Sequence, residues 1–313
     1  MLISVEWIEA WGWPVVCCTP TTSIDFAPTI PAMSRAPVIS SSETDIAYAA
    51  AQCVVKTHQR LVDFLKTGQT LAAIDQFVAK TLTDLQCRSC FLGYRVGRSP
   101  AFPSHACLSV NECVVHGTAG YYTKPMKPGD VLKIDIGVVH KGWIGDAAWT
   151  YVFKDYPSGE VQRLMQCGKE SLRRGVEELH PANTYMAWAQ TVQEYVEGEC
   201  GFHLIRGLGG HGYGRWDDKR KKGLHEPPYL SNVLPTYNDE WPDGFKRCMP
   251  GTVLAAEPMI AIGTGEVRQT AKEWPVYSKD GSIAVHYEHD VLITETGPRI
   301  LTEGMENLPD IVG

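Results

Sequence analysis

Apolar residues along the chain switch between helical spacing and dense strand-like runs, and the switch happens twice in the same order. Over about Glu43–Lys66, residues Ile46, Ala49, Ala50, Cys53, Val54, Leu61, Phe64 and Leu65 recur at helical spacing and define one buried stripe. Ser41-Ser42 supplies the cap, Asp45 the acidic partner of a capping box, and Gly68 the stop. A second helix is predicted over about Leu71–Leu85, then a loop with Gly93, Gly97, Pro100 and Pro103, then a short strand at Ala106–Val110. Val131–Val139 and Trp143–Phe153 are rich in β-branched and aromatic residues and are joined by His140-Lys141-Gly142, which predicts a β-hairpin.

The order then repeats. Helices are predicted at about Ser158–Leu179 and Thr184–Glu199, followed by the Gly-rich run Gly207–Gly214. Strands follow over Val253–Ile262 and Ile283–Thr294, the latter pairing with Pro298–Thr302. Each half therefore reads as two helices, a histidine-bearing loop and antiparallel strands. That pattern predicts an α+β protein with a pseudo-twofold axis and a site between its halves. The echo lies in element order alone, with no visible repeat of sequence.

Residues 1–40 are rich in Pro, Thr and Ser without a sustained period, so they read as a flexible arm ahead of a catalytic domain at residues 41–313. Met33 within that arm is an alternative start. A net charge of −7 argues against non-specific nucleic-acid binding. No apolar run approaches the roughly 20 residues of a membrane span, and the opening segment, with Glu6 and Glu9 and no basic leader, makes a poor secretory signal. Ten cysteines without framework spacing suit the reduced thiols of a cytoplasm. Cys87 and Cys90 form a C-x-x-C, but no second pair completes a zinc site, so both read as packing residues.

Against this background five polar residues stand out in apolar or Gly-rich surroundings: Asp135 and Asp146, one on each strand of the hairpin, with His211, Glu257 and Glu288. A carboxylate inside an apolar strand is costly to bury unless it is paired or holds a metal. Four carboxylates and an imidazole form a hard-donor set suited to two divalent cations, whether Mn, Fe(II), Co or Zn. Two such ions about 3.5–4 Å apart would acidify a shared water and polarise a substrate oxygen. Pro258 favours an extended conformation at Glu257, and the glycines around His211 allow close approach to the backbone.

The segments SVNECVVHG, KIDIGVVHKGWIGDAAW, GLGGHGYG, LHEPP, AAEPMIAIG and HYEHDVLITETGPRILT resemble those of type I methionine aminopeptidases, in order, from about Glu43 to Thr302. The resemblance implies the pita-bread fold and removal of the initiator methionine from nascent polypeptides, where the second residue is small, by attack of a water shared between two metal ions. It implies Asp135 on one metal, His211 and Glu257 on the other, and Asp146 and Glu288 bridging. It further implies that His116 and His225 contact the scissile amide, that Glu257 shuttles the proton, and that Cys107, Trp274, Phe102, Tyr94 and Leu224 line the methionine pocket. The likeness implies action on the N-termini of nascent polypeptides, at the ribosome; a cytoplasmic protein is expected from its cysteine usage, and a monomer is expected.

Four features depart from the family pattern. Gly137 stands where a hydroxyl residue is common, and Ala147-Ala148 replace Thr-Ser, which puts an auxiliary cation site in doubt. RWDDKRKKG between Tyr213 and His225 is an insertion that reads as a solvated charged loop, and the region Glu240–Met249 is long. Two other readings remain: an aminopeptidase P or prolidase, which shares the ligands but carries a large N-terminal domain, and an inactive pita-bread binding protein, which would have lost ligands.

Overall fold

The computed structural model describes residues 39–97, 99–219 and 222–313. The arm expected over residues 1–40 lies outside the described residues apart from its last two. Of these, Ile39 is buried and its amide donates to the Gly251 carbonyl at 2.8 Å.

Helix α1 spans Ser41–Phe64 and α2 spans Leu71–Asp84. The α1 cap is Ser40, whose amide and hydroxyl both donate to Glu43 Oε2, at 3.1 and 2.7 Å. That is two residues earlier than the capping box expected at Ser42 and Asp45, because the helix begins at Ser41 and places Glu43 at its third residue, where a side chain can reach back to the cap.

Short strands β1 (Arg88–Ser89), β2 (Cys107–Val110) and β3 (Cys113–Val115) lead to the long hairpin of β4 (Val131–His140) and β5 (Trp143–Phe153). The hairpin is paired without interruption from Val131↔Val152 to His140↔Trp143. Helix α1 lies across it so closely that a Cβ at Gly145 would come within 2.6 Å of the Ala50 backbone, so glycine sets the helix–sheet spacing there. Helices α3 (Gly159–Glu178) and α4 (Tyr185–Gln193) follow, and α4 continues into a wider π turn over Glu194–Glu199.

The second half holds β6 (His203–Leu204), β7 (Gly209–Gly212), β8 (Glu226–Ser231), β9 (Val253–Ala256), β10 (Met259–Ala261), β11 (Val267–Gln269), β12 (Val276–Ser278), β13 (Ala284–His286), β14 (His289–Thr294), β15 (Gly297–Ile300) and β16 (Ile311–Val312). One sheet runs β1-β4-β5-β16, with β2 also on β4; a second runs β15-β14-β9-β7-β8. Two three-stranded sheets, β13-β10-β6 and β11-β12-β3, complete the α+β arrangement. Pairings are antiparallel except β16 on β5, which is parallel.

The strands expected to be continuous over Val253–Ile262 and Ile283–Thr294 are each broken, at Glu257-Pro258 and at Tyr287-Glu288. The chain changes sheets at both points. Strands β9 and β14 pair in the five-stranded sheet through His289↔Ala256, while β10 and β13 pair in the three-stranded one through Met259↔His286. Glu257 and Glu288 therefore sit side by side where two sheets part. The Glu288 amide also donates to the Ala148 carbonyl of β5 at 2.9 Å, which brings the first hairpin to the same point.

Candidate metal centre and pocket

In the hairpin, Asp135 lies opposite Ala148 and Asp146 opposite Gly137. The two carboxylates are therefore diagonal neighbours on one face rather than directly opposed, a separation still within reach of a shared ligand. Carboxylate oxygens of Asp135, Asp146 and Glu288 lie within 4.8 Å of one another, and so do ligand atoms of Glu257, His286 and Glu288. Glu288 belongs to both groups and joins them into one cluster. His211, on β7 opposite Ala255 of β9, directs Nε2 to Glu257 Oε1 at 3.6 Å, while its Nδ1 donates to the Gly212 carbonyl at 3.1 Å. That bond leaves Nε2 of the neutral ring with its lone pair toward the carboxylates.

The cluster is electrostatically uncomfortable as it stands. Burial raises the Asp135 carboxyl to about 7. Burial, then the neighbouring Asp135 and Asp290, push Asp146 well above the usual carboxylate range. Burial and Asp135 do the same to Glu257, and burial, Asp146 and Glu257 to Glu288. Burial lowers His211 to about 4. Asp135 Oδ1 and Asp146 Oδ1 are buried without a hydrogen-bond donor. Unpaired carboxylate oxygens converging beside an imidazole lone pair fit divalent cations, which would relieve both the burial cost and the mutual repulsion.

A cleft opens on this cluster. Its walls include every expected pocket residue: Tyr94, Phe102, Cys107, His116, Leu224, His225 and Trp274, together with Asp135, Asp146, His211, Glu257 and Glu288. Trp274 is fixed by an Nε1 hydrogen bond to the Pro100 carbonyl at 3.1 Å and stands edge-on to Phe102 at 5.2 Å. His116 adopts φ of 59°, the left-handed region that a β-branched or bulky side chain rarely enters, directly after β3. Burial lowers its pKa to about 4. His225 shares a 2.7 Å hydrogen bond with the Tyr94 hydroxyl through Nδ1 and lies 4.3 Å, ring to ring, from His211.

Two residues of this region were not singled out by sequence. His286 is buried with Nε2 3.1 Å from Glu257 Oε2 and 3.8 Å from Glu288 Oε2. Asp290 is fully buried and accepts the Asp146 amide at 2.9 Å, which fixes the backbone that carries Asp146. The run HYEHD, five titratable residues inside an apolar strand pair, was the available signal.

The described charged residues of the insertion after Tyr213 are exposed or half-buried, as expected of a solvated loop, but its tryptophan is not. Trp216 is largely buried and its amide donates to the Gly142 carbonyl at 3.0 Å, Arg215 pairs with Glu43 at 2.9 Å, and Asp218 pairs with Arg88. One tryptophan among the charges is enough apolar area to pin the segment against the β4–β5 turn. Gly137, the departure noted in the hairpin, faces Phe91 and Cys90, and a Cβ there would come within 2.3 Å of the Phe91 ring and 2.5 Å of Cys90 Sγ. The volume of a side chain at this position is already occupied.

The sequence profile of metallopeptidase family M24 matches residues 45–295. The chain belongs to metallopeptidase family M24. Within the family it is 35% identical to methionine aminopeptidase 1 of Bacillus subtilis, over 83% of this chain and 96% of that one. It is 34% identical to the methionine aminopeptidase of Aquifex aeolicus, over 84% and 97% of the two chains. The crystal structure of methionine aminopeptidase from Thermotoga maritima superposes with a TM-score of 0.75 at 30% identity, covering 86% of this chain and 99% of that chain. The X-Pro aminopeptidase of the same organism shares the fold at a TM-score of 0.64 and 19% identity, but this chain covers only 63% of it. Membership of a metallopeptidase family carries with it the use of a divalent metal, and the carboxylate cluster is where such an ion fits. Among the described residues no helix is long and apolar enough to cross a membrane.

Proposed function

We propose that the chain is a metalloaminopeptidase that removes N-terminal methionine from newly made proteins whose second residue is small, acting in the cytoplasm as a monomer with two divalent cations. The observation that carries the reading is the convergence of Asp135, the buried carboxylates of Asp146, Glu257 and Glu288, and His211, from five strand regions, at the floor of one apolar, sulfur-bearing cleft. Asp135 would hold one cation, His211 and Glu257 the other, and Asp146 and Glu288 both. When bound, these ions supply an acidified water and a polarised substrate carbonyl.

The chain's own groups do the rest. Glu257 accepts the proton of the attacking water and delivers it to the leaving amine, and His286 on its second oxygen holds that carboxylate in place. His116 and His225 are neutral near pH 7, because burial keeps both rings below the usual imidazole range. Each can therefore donate a hydrogen bond to the scissile amide as it becomes tetrahedral. Cys107, Phe102 and Trp274 form an apolar, polarizable wall that suits a thioether. Gly137, Ala147 and Ala148 offer no side-chain oxygen near Asp135 and Asp146, so the reading includes no auxiliary cation there.

The test is hydrolysis of Met-Ala-Ser against Leu- and Xaa-Pro-initiated peptides after chelation and re-addition of single metals. Cleavage of the methionyl peptide alone, dependent on added metal, is the expected result. Preference for Xaa-Pro substrates, or turnover that survives chelation, would overturn the reading.

A further inference from the structure

The C-x-x-C at Cys87 and Cys90 does not act as a pair in the fold. Cys90 is packed against Gly137 on the hairpin face that carries Asp135 and Asp146, whereas Cys87 meets Cys53 and His140. Cys53 comes from the middle of α1, Cys87 from the turn between α2 and β1, and His140 from the last position of β4. Their two sulfurs and an imidazole nitrogen lie within 4.8 Å of one another, and none of the three residues lines the catalytic cleft.

The spacing is that of a coordination polyhedron. Cys87 Sγ is 3.5 Å from His140 Nδ1. A tetrahedral zinc with Zn–S of about 2.3 Å and Zn–N of about 2.0 Å has a thiolate-to-imidazole edge of about 3.5 Å. Thiol hydrogen bonds link Cys87 to His140 and to Cys53, and the same spacing admits a tetrahedral ion. Cys53 is nearly buried while Cys87 and His140 are half-buried, which leaves a solvent-facing side for ion entry and a fourth ligand. The Cys87 thiol, and then Lys56 and Lys141 nearby, favour the Cys53 thiolate against the opposing effect of burial, while the same contact and burial push the Cys87 thiol up, so an ion has to displace that proton. Two thiolates would neutralise the charge of a divalent ion beside those lysines.

We propose that Cys53, Cys87 and His140 form a second metal site, for a thiophilic d10 cation of the zinc or cadmium type, with solvent water as the fourth ligand. Binding releases the two thiol protons to solvent and leaves His140 neutral, ligating through Nδ1. The donor set is soft where the catalytic cluster is hard, so the two sites sort metals by chemistry rather than by competing for the same ion. An ion here also ties α1 to the strand that carries Asp135.

The probe is cadmium, added to the chelator-treated full chain, with the thiolate-to-cadmium absorption band in the ultraviolet as readout. The band should saturate at one ion per chain and vanish in Cys87→Ser. His140→Ala changes a half-exposed turn residue and keeps both sulfurs; it should weaken cadmium binding by at least about tenfold, no less than loss of an outer-shell partner typically does. Cys107→Ser, which alters the thiol beside the catalytic carboxylates, should leave the band intact. Circular dichroism establishes that each variant is folded. Absence of the band in the parent chain, its survival in Cys87→Ser, or its loss in Cys107→Ser would overturn the proposal. The readout is independent of peptidase activity, so it stands or falls apart from the catalytic reading.

Discussion

Replacing Asp135 by asparagine should make the metal-free protein more stable while destroying its activity. The Asp135 carboxyl titrates at about 7 in the fold against an ordinary 3.8. Keeping it ionised in the metal-free state therefore costs about 4 kcal/mol above pH 7, at about 1.4 kcal/mol per unit. The amide keeps the shape but must itself be buried with imperfect partners, which returns about 1–2 kcal/mol. A net gain of about 2 kcal/mol is expected for Asp135→Asn in chelator at pH 8. The sign follows from proton binding: between pH 3.8 and about 7 the native state holds a proton that the unfolded chain has released, so wild-type stability falls as pH rises through that window. The asparagine variant lacks this dependence, and its advantage should shrink toward pH 5. Urea unfolding in EDTA at both pH values measures the gap. With saturating manganese the order should reverse, because the wild type gains binding free energy that the variant has forfeited. An asparagine variant less stable than wild type in EDTA at pH 8, or a gap that ignores pH, would refute the electrostatic account.

Further outcomes follow from the same geometry. His116→Ala should lower kcat by about a hundredfold to a thousandfold, the usual effect of losing one donor to a tetrahedral intermediate, with metal stoichiometry unchanged; loss of bound metal would show that the ring is a ligand. Trp274→Ala removes the wall held by Pro100 and Phe102, and should raise KM and narrow the preference for methionine over leucine, read from paired peptide kinetics. His58, on α1 and bonded to the Tyr151 hydroxyl at 2.9 Å, is lowered by burial to about 3 from 6.5. The unfolded chain therefore takes up that proton first, and stability present above pH 6.5 is lost as pH falls, by about 2 kcal/mol at pH 5. His58→Phe should remove that share of the acid sensitivity in denaturant titrations, and an unchanged pH slope would count against it.

Much of this molecule was readable from residue order, and the exceptions share a physical cause. The hairpin was legible because β-branched density and a glycine turn are local signals, and its boundaries held to within a residue. The breaks at Glu257-Pro258 and Tyr287-Glu288 were not, since a chain leaving one sheet for another keeps the same apolar density throughout. Those breaks are what place the two glutamates together. The metal ligands could be collected as polar residues in apolar company, but His286 and Asp290 flank Glu288 so closely that their separate contacts appear only in three dimensions. Charge composition anticipated the exposed charges of the insertion after Tyr213 but not the anchoring of Trp216 among them. Nothing in the spacing of Cys53, Cys87 and His140 announces that they meet.

The filled space at Gly137 bears on how this sequence can evolve. A hydroxyl residue at position 137 collides with the Phe91 ring and with Cys90, and truncating Phe91 alone opens a void costing about 3–5 kcal/mol in a wall of the cleft. Each single step is harmful, and because Cys90 Sγ also lies within 2.5 Å of the added Cβ, relief requires change at both neighbours, so the three positions are epistatic. A lineage holding the aromatic wall is separated by a fitness valley from one holding an extra oxygen beside the hairpin carboxylates. Transplanting that oxygen into this chain one residue at a time should fail for the same reason.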